Sequence, residues 1–306
     1  MHRPLPCSAA ARYRLDQSGI HFDLKHMANA TIDPAEIQKF SALAAEWWNP
    51  KGPFGALHRM NPVRLQYIRD LCASHFPAGE AGRAATGGGD DAQEPASTAA
   101  HRPLSHASRD SSPARGGANK GALARLSVLD LGCGGGLVSV PLARMGAKVT
   151  AIDASGEAIG AARAYAGQAG SEIDYRCMTA ETLVERGERF DLVTALEIVE
   201  HVADVNAFLS AASALVKPGG LLVLSTINRT PKARALAIVG AERILKWAPE
   251  GAHNYEKLVT PEEIRAGAPA LNWKEPVGIT YQPLGSGWSL TRDVSVNYLI
   301  AGAKPA

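Results

Sequence analysis

The sequence predicts an α/β fold in which helices cover both faces of a doubly wound, mostly parallel sheet. From residue 128 onward, short apolar runs alternate with helical stretches, which is the βαβα pattern of a parallel sheet. A glycine-rich run at 132–136 joins the first predicted strand to the helix that follows, and such turns let a backbone approach a ligand closely. Hydrophobic residues make up 46% of the chain, which is typical of a packed globular protein.

The first 30 residues form a leader whose composition is typical of a mitochondrial presequence. This leader contains Arg3, Arg12 and Arg14, and its acidic residues are Asp16 and Asp23. It lacks the apolar run that a secretory signal needs. We therefore expect a presequence, with an ordinary frayed N-terminus as the alternative.

A small helical cap is predicted for residues 31–76. Asp33 is a helix-capping residue type and is followed by a proline, which is favoured at the first position of a helix. The spacing predicts a helix over 34–48, broken by the prolines and glycine of 49–53. A second helix is predicted over 61–73 from its apolar periodicity.

Residues 77–121 are predicted to be a disordered insert. Between Phe76 and Leu123 the only large apolar residue is Leu104, and the rest is mainly alanine, glycine, serine, proline and charge. Such a segment buries too little apolar surface to offset the entropy of ordering it. We assign no function to this insert.

The remainder, residues 122–306, is predicted to form the main domain. Its predicted strands are 128–131, 149–152, 173–176, 191–196 and 221–227. Its predicted helices are 137–145, 157–169 and 205–216. Two late apolar runs, 277–281 and 294–301, are expected to complete the sheet as a hairpin.

Charge and hydropathy exclude two classes of function. The chain has 32 Lys and Arg residues against 30 Asp and Glu residues, a formal net charge of +2, so it lacks the basic excess that gripping a phosphate backbone requires. No stretch of the sequence approaches the roughly 18 to 20 consecutive apolar residues that span a bilayer. We therefore expect neither a nucleic-acid partner nor a membrane-spanning segment.

The glycine-rich turn predicts a nucleotide-like ligand. Asp130 lies in the strand just before Gly132 and Gly134, where a carboxylate would repel a pyrophosphate but could hold an ammonium group, directly or through water. Asp153 ends the next strand, 21 residues after Gly132, where it can accept both hydroxyls of a ribose. A nucleoside with a cationic tail would suit both carboxylates, so S-adenosyl-L-methionine fits this turn better than NAD. A dehydrogenase and a degenerate fold remain the alternatives.

A second polar group follows the fourth strand of this domain. Glu197, Glu200 and His201 are spaced so that one helical turn would put all three on one face. Carboxylate oxygens suit Mg²⁺, but imidazole is an unusual ligand for that ion, so His201 could instead act as a base. A capping glutamate and a solvated histidine are the alternative interpretation.

These motifs together resemble the ubiquinone-biosynthesis O-methyltransferase family of class I S-adenosylmethionine-dependent methyltransferases. The resemblance covers about residues 31–76 and 122–306. It implies a Rossmann-like, seven-stranded sheet behind the helical cap. The segments that carry it are 39–40, 46–50, 57–64, 130–136, 197–201, 216–220, 228–229, 239–242, 293–294 and 297–298.

The resemblance also implies roles for individual residues. Arg64, Gly132, Asp153 and Leu196 would contact S-adenosylmethionine, with Leu196 standing where the family often has methionine. The guanidinium of Arg64, in the predicted cap, can form an ion pair with the carboxylate of the cofactor. Glu197, Glu200 and His201 would bind Mg²⁺.

The implied reaction is methylation of the catechol hydroxyls of polyprenyl-dihydroxybenzoate and demethylubiquinol. A catechol has adjacent oxygens that can chelate Mg²⁺, and either His201 or His253 could take the phenolic proton. A different phenolic or amine acceptor, and a non-catalytic scaffold of the same fold, remain alternatives.

The polyprenyl tail implies contact with a membrane surface. Residues 230–248 project as a helix with one largely apolar face, which predicts either membrane contact or a lid over the site. We expect a peripheral protein on the matrix side of the mitochondrial inner membrane, within a ubiquinone-biosynthesis complex.

Overall fold

The computed structural model describes residues 31–76, 121–236, 254–282 and 287–306. It also describes two short paired strands, β1 (Leu15–Asp16) and β2 (Gly19–Ile20). Apart from these strands and the last residue of the insert, the predicted leader and the predicted insert lie outside the described residues, so both stay predictions.

Parallel strands form the centre of the sheet, as predicted. They run in the order β5-β4-β3-β6-β7, and each pairs in parallel with its neighbours. Their bounds are β3 (Ser127–Leu131), β4 (Lys148–Asp153), β5 (Asp174–Cys177), β6 (Phe190–Leu196) and β7 (Val216–Ile227).

Antiparallel strands extend the sheet beyond β7. Strand β11 pairs with β7, β9 pairs with β11, and β10 pairs with β9 at the edge, while the short β8 also pairs with β11. The two late apolar runs do pair with each other as β9 and β11, but the unpredicted β10 lies between them in sequence, so they do not form the predicted hairpin. The described sheet has nine strands, where seven were expected. The bounds of these antiparallel strands are β8 (Asn272–Trp273), β9 (Val277–Gln282), β10 (Gly287–Thr291) and β11 (Asn297–Ala303).

Successive strand residues face opposite sides of the sheet and so build two cores. Val128 belongs to the core to which the second helix of the cap also contributes side chains. Leu129 and Leu131 belong to the core on the other face of the sheet. The helices are α1 (Pro34–Ala42), α2 (Gly55–His75), α3 (Ser139–Arg144), α4 (Gly156–Gln168), α5 (Ala180–Glu185), α6 (Val205–Ala214), α7 (Pro231–Ala233) and α8 (Pro261–Gly267). Helices cover both faces of the sheet, which confirms the predicted doubly wound α/β class.

The cap differs from its prediction at two points. Helix α1 ends at Ala42 and is followed by a 3₁₀ turn, Ala44–Glu46, so the tryptophans after it are not helical. Helix α2 begins at Gly55, six residues before the predicted start, and carries Pro62 in its interior. Burial of Met60 in the shared core stabilises the extra turn in spite of the hydrogen bond that a proline removes.

Most of the predicted amphipathic segment lies outside the described residues, which stop at 236 and resume at 254. The part that is described begins with α7 and ends at Leu236, whose side chain is 54% exposed. Among the helices that the structure describes, none is both long enough and apolar enough to cross a bilayer.

Candidate active site at the carboxyl ends of the strands

A solvent-open cleft lies between the cap and the carboxyl ends of β3, β4 and β6. Ligands bind at this edge in open α/β sheets. Five of the predicted site residues line it, namely Gly132, Gly134, Asp153, Glu197 and His201. The cap supplies part of the opposite wall through Glu36, Phe40 and Trp47.

The glycine-rich turn has a backbone that side chains would obstruct. Gly132 and Gly134 have φ angles of +66° and +52°, in the left-handed region that favours glycine. A Cβ atom on Gly132 would lie 2.6 Å from Ile198, and one on Gly134 would lie 2.4 Å from the Trp47 ring. The glycines therefore let Ile198 and Trp47 pack directly against the backbone of this turn, which we call the backbone cradle.

Asp153 is held at the end of β4 by two backbone bonds. Its Oδ2 accepts from Gly134 N and its Oδ1 accepts from Ser155 N, both at 2.8 Å. Burial raises the pKa of this carboxyl, while these bonds favour its charged form. Each carboxylate oxygen still has acceptor capacity for a ligand hydroxyl.

Asp130 is a buried neighbour of the cleft. Ser139 donates to its Oδ2 at 2.5 Å and Thr194 donates to its Oδ1 at 2.9 Å. Burial raises its pKa to about 6 in spite of these bonds. The side chain is 2% exposed and therefore lies behind the surface that lines the cleft.

Arg64 lies in a cluster of carboxylates. Its guanidinium is 2% exposed, donates to Asn61 at 3.2 Å and lies 3.7 Å from Glu197 Oε1. Burial lowers its pKa, and the nearby charges of Glu197, Asp130 and Glu200 oppose that shift. The structure thus gives Arg64 an internal partner, Glu197, at the position where a cofactor carboxylate was predicted.

Glu200 has the most unusual environment in this cluster. Both of its carboxylate oxygens are buried and have no hydrogen-bond partner among the described residues. Burial raises its pKa to about 7, and the nearby Glu197 adds to the increase, whereas His201 opposes it. Unpaired buried carboxylates are costly, so this group favours a proton or a cation.

His201 points toward the cap instead of toward the two glutamates. Its Nδ1 lies 3.0 Å from Glu36 Oε2, and its ring packs edge-on against Phe40 with centroids 4.9 Å apart. The hydrogen bond from His201 is the largest cause that lowers the pKa of Glu36. The histidine therefore has an anionic partner from the other side of the cleft.

The predicted magnesium triad is not assembled, which corrects the sequence interpretation. Among the described residues, no three His, Cys, Asp or Glu side chains are placed to hold a metal ion. The reason is local: Val199–His201 is a 3₁₀ turn, and Glu197 precedes it with a left-handed φ of +54°. Glu197, Glu200 and His201 therefore do not share one helical face, and as arranged their donors do not fit Mg²⁺.

The sequence did not identify the cap residues that cover the glycine-rich turn. Trp48 donates from Nε1 to Gly135 O at 2.8 Å and stacks on Tyr165, while Trp47 stacks on Phe54 with centroids 3.7 Å apart. Spacing gives no signal for such contacts, because nearly 90 residues separate Trp48 from its acceptor.

Two further predicted site residues are not found in the cleft lining. Leu196 is buried at the end of β6, with 8% exposure. His253, the alternative proton acceptor, lies outside the described residues.

Comparison with known proteins identifies close relatives. A family model described as a methyltransferase domain matches residues 129–224. A ubiquinone biosynthesis O-methyltransferase from Rhizobium etli is 46% identical over 91% of this chain and 98% of its own. Proteins of the same name from Brucella anthropi and Sinorhizobium medicae are 45% and 44% identical, over 91% and 92% of this chain and 98% and 100% of theirs.

Solved structures also resemble part of this chain. A magnesium protoporphyrin IX methyltransferase from Synechocystis, with bound SAH, aligns over 60% of this chain and 75% of its own at 21% identity, with a TM-score of 0.43. A possible histamine N-methyltransferase from Thermotoga maritima covers 60% of this chain and 83% of its own at 20% identity, with a TM-score of 0.43.

These relatives correct the predicted location. The relatives named above come from Rhizobium, Brucella and Sinorhizobium, which are bacteria and have no mitochondria. The expectation of a mitochondrial inner membrane protein on the matrix side is therefore wrong. A few arginines with few acids are a weak signal, because an ordinary chain terminus can have the same composition.

Proposed function

The chain belongs to the family of ubiquinone biosynthesis O-methyltransferases, which use S-adenosylmethionine, and on this premise we propose that it methylates a catechol hydroxyl of a polyprenylated ubiquinone precursor in the cleft beneath the cap. One observation carries the proposal. The same cleft is lined on one side by the glycine-rich turn and Asp153, and on the other by His201. Groups suited to a nucleoside and a group suited to a phenolic proton therefore face one space.

We propose that the cradle and Asp153 bind the cofactor. The positive φ angles of Gly132 and Gly134 support a close backbone approach, and the two acceptor oxygens of Asp153 suit the hydroxyls of a ribose. Asp130 lies just behind this surface and attracts the cofactor's ammonium group electrostatically. The cofactor contacts predicted for Arg64 and Leu196, both buried, stay predictions.

When bound, S-adenosylmethionine supplies a methyl group on a sulfonium, so an oxygen nucleophile in line with it is all that transfer requires. The cleft walls orient the acceptor toward that methyl group. His201 takes the phenolic proton at Nε2, because its Nδ1 is engaged by Glu36. Loss of this proton makes the acceptor oxygen a better nucleophile as its bond to the methyl carbon forms.

Magnesium carries no step in this proposal, because the predicted ligands do not converge in the structure. Glu200 nevertheless supports the binding of a cation beside it, because both of its carboxylate oxygens are buried without partners among the described residues. Glu197 and Glu200 are the oxygen donors that the family resemblance would assign to the ion.

The polyprenyl tail of the proposed acceptor resides in a bilayer, so we propose peripheral contact between this protein and a membrane surface. The exposed Leu236 supports this contact, since an exposed apolar side chain suits a lipid surface. Membership of a ubiquinone-biosynthesis complex stays a prediction.

The test is methyl transfer from labelled S-adenosylmethionine to a short-tailed 3,4-dihydroxy-5-polyprenylbenzoate and to the matching demethylubiquinol, with and without chelator. We expect labelled product that His201→Ala abolishes. Cofactor binding without product from either acceptor would refute the proposed acceptor. Chelator-sensitive turnover would show that the cluster of Glu197 and Glu200 rearranges around a metal, and insensitive turnover would exclude the metal role.

A further inference from the structure

We propose that Ser41, near the end of the cap helix α1, is a positioning residue that fixes the carboxylate of Asp153 for the ribose hydroxyls of the cofactor. The link between the two residues is Ser155, whose hydroxyl meets that of Ser41 and whose backbone N–H holds Asp153. This inference rests on the proposed role of Asp153 in binding the ribose.

The Ser41 hydroxyl joins the cap to the start of helix α4. Its Oγ lies 2.7 Å from Ser155 Oγ and 3.0 Å from Glu157 Oε2, although 114 and 116 positions separate these residues from Ser41 in the sequence. Ser155 is the N-cap of α4, and its Oγ accepts a hydrogen bond from Ala158 N at 3.0 Å. Ser155 is 2% exposed, so these contacts are made beneath the docked cap and little water reaches them.

The number of available protons gives these contacts one direction. Ser41 Oγ lies closer to Glu157 Oε2 than Ser155 Oγ does, at 3.0 Å against 3.3 Å. A carboxylate that is ionised only accepts hydrogen bonds, so Ser41 donates its one hydroxyl proton to Glu157. Ser155 then donates to Ser41 across the 2.7 Å contact while it accepts from Ala158 N. The result is a continuous chain of hydrogen bonds, in which each bond strengthens the next.

This chain of hydrogen bonds secures the backbone that holds Asp153. Because the Ser155 hydroxyl is engaged on both sides, its side chain is held in one rotamer, and its N–H donates to Asp153 Oδ1 at 2.8 Å. The other oxygen, Oδ2, accepts from Gly134 N at 2.8 Å. The carboxylate is therefore held by the glycine-rich turn and by a residue that the cap secures. A carboxylate that meets two ribose hydroxyls at once requires such a fixed orientation.

The inference makes cofactor affinity depend on a side chain of the cap. In Ser41→Ala, Ser155 can still turn toward Glu157, but the cap no longer holds it, so Asp153 is less well oriented. We expect the Kd of S-adenosylhomocysteine, the demethylated cofactor, to rise about 3- to 10-fold in a calorimetric titration, as for the loss of one hydrogen bond. Ser41→Thr keeps the hydroxyl and should restore most of the affinity.

The decisive measurement compares S-adenosylhomocysteine with its 2′,3′-dideoxy analogue, which lacks both ribose hydroxyls, on the full chain. If Ser41 acts through Asp153, Ser41→Ala weakens binding of the first ligand only, because the analogue offers this carboxylate no hydroxyl. In an Asp153→Asn background, Ser41→Ala should likewise cause no further loss of affinity for S-adenosylhomocysteine. Ser74→Ala is the matched control, since this exposed serine of the second cap helix donates to Leu71 O within its own helix, and we expect wild-type affinity for both ligands.

Each outcome decides a different point. A loss of affinity in Ser41→Ala that is confined to the ribose-bearing ligand and restored by Ser41→Thr supports the positioning role. Unchanged affinity in Ser41→Ala overturns this inference and leaves the proposed function intact. An equal loss for both ligands, or a full further loss in the Asp153→Asn background, would identify a purely structural contact of the cap and also overturn it. Wild-type protein that binds both ligands equally tightly overturns the proposed role of Asp153 and this inference with it.

Discussion

Replacing Gly134 with alanine tests whether the cap and the cofactor cradle are one unit. At φ +52° an alanine costs about 1 to 2 kcal/mol, because its Cβ approaches the following carbonyl. The same Cβ would lie 2.4 Å from the Trp47 ring, which must then move away from the loop. Displacing that ring weakens its stack on Phe54, worth about 0.5 to 1.5 kcal/mol.

Together these costs come to about 1.5 to 3.5 kcal/mol of unfolding free energy, or roughly 10- to 400-fold in the ratio of folded to unfolded protein. Cofactor binding should weaken further, because Gly134 N is also a donor to Asp153. Urea unfolding measures the first effect, and calorimetric titration with S-adenosylmethionine measures the second.

Gly160→Ala is the matched control. Gly160 is exposed in helix α4, and a Cβ there meets nothing within 4 Å. Alanine at this position should stabilise the protein by about 0.5 to 1 kcal/mol and leave cofactor affinity unchanged. If Gly134→Ala matched this control in both measurements, the argument that Trp47 and the cradle share one packed surface would be refuted.

Three further changes probe single groups. Asp153→Asn should weaken S-adenosylmethionine binding at least about tenfold in a calorimetric titration, since an amide nitrogen cannot accept the backbone bonds that position this side chain. Because the pKa of Glu200 is raised to about 7, the folded state holds its proton more tightly than the unfolded chain, and the free energy of unfolding should fall as pH rises from about 4.5 through 7. Glu200→Gln should flatten that fall in urea melts at several pH values, leaving the smaller part due to Asp130; an unchanged slope would contradict the assignment. Tyr298→Phe should cost about 1 to 2 kcal/mol in the same unfolding assay, because the carbonyl of Val259 loses its buried donor.

The sheet was predictable because its signals are local. The strand predicted at 128–131 and the glycine-rich turn after it depend only on adjacent residues, and the strand was confirmed as β3. Helix α8 also had a local signal that was overlooked, since Thr260 and Glu263 form a capping box around its first turn. Strand β10 gave a weak signal because edge strands are half-exposed and lack a long apolar run.

The arrangement of the site was less predictable, because its decisive contacts join distant segments. The pairing of Glu36 with His201 depends on how the cap docks, and no spacing in the sequence encodes it. The magnesium ligands stay a prediction, and the helical turn on which it relied is not present, because Glu197 is left-handed and Val199–His201 is a short 3₁₀ turn. Residue types at a strand end thus identify a polar site more readily than they identify its ligand.

The tryptophans on the glycine-rich turn give this protein a built-in optical probe. Trp47 and Trp48 are two of the five tryptophans in the chain, and both contact the loop that forms the cofactor cradle. The Trp47 indole nitrogen is buried without a partner among the described residues, so its emission is sensitive to any polar group that enters the cleft. If the cofactor binds at this turn, as proposed, its binding can therefore be followed by intrinsic fluorescence, in stopped flow and without a label.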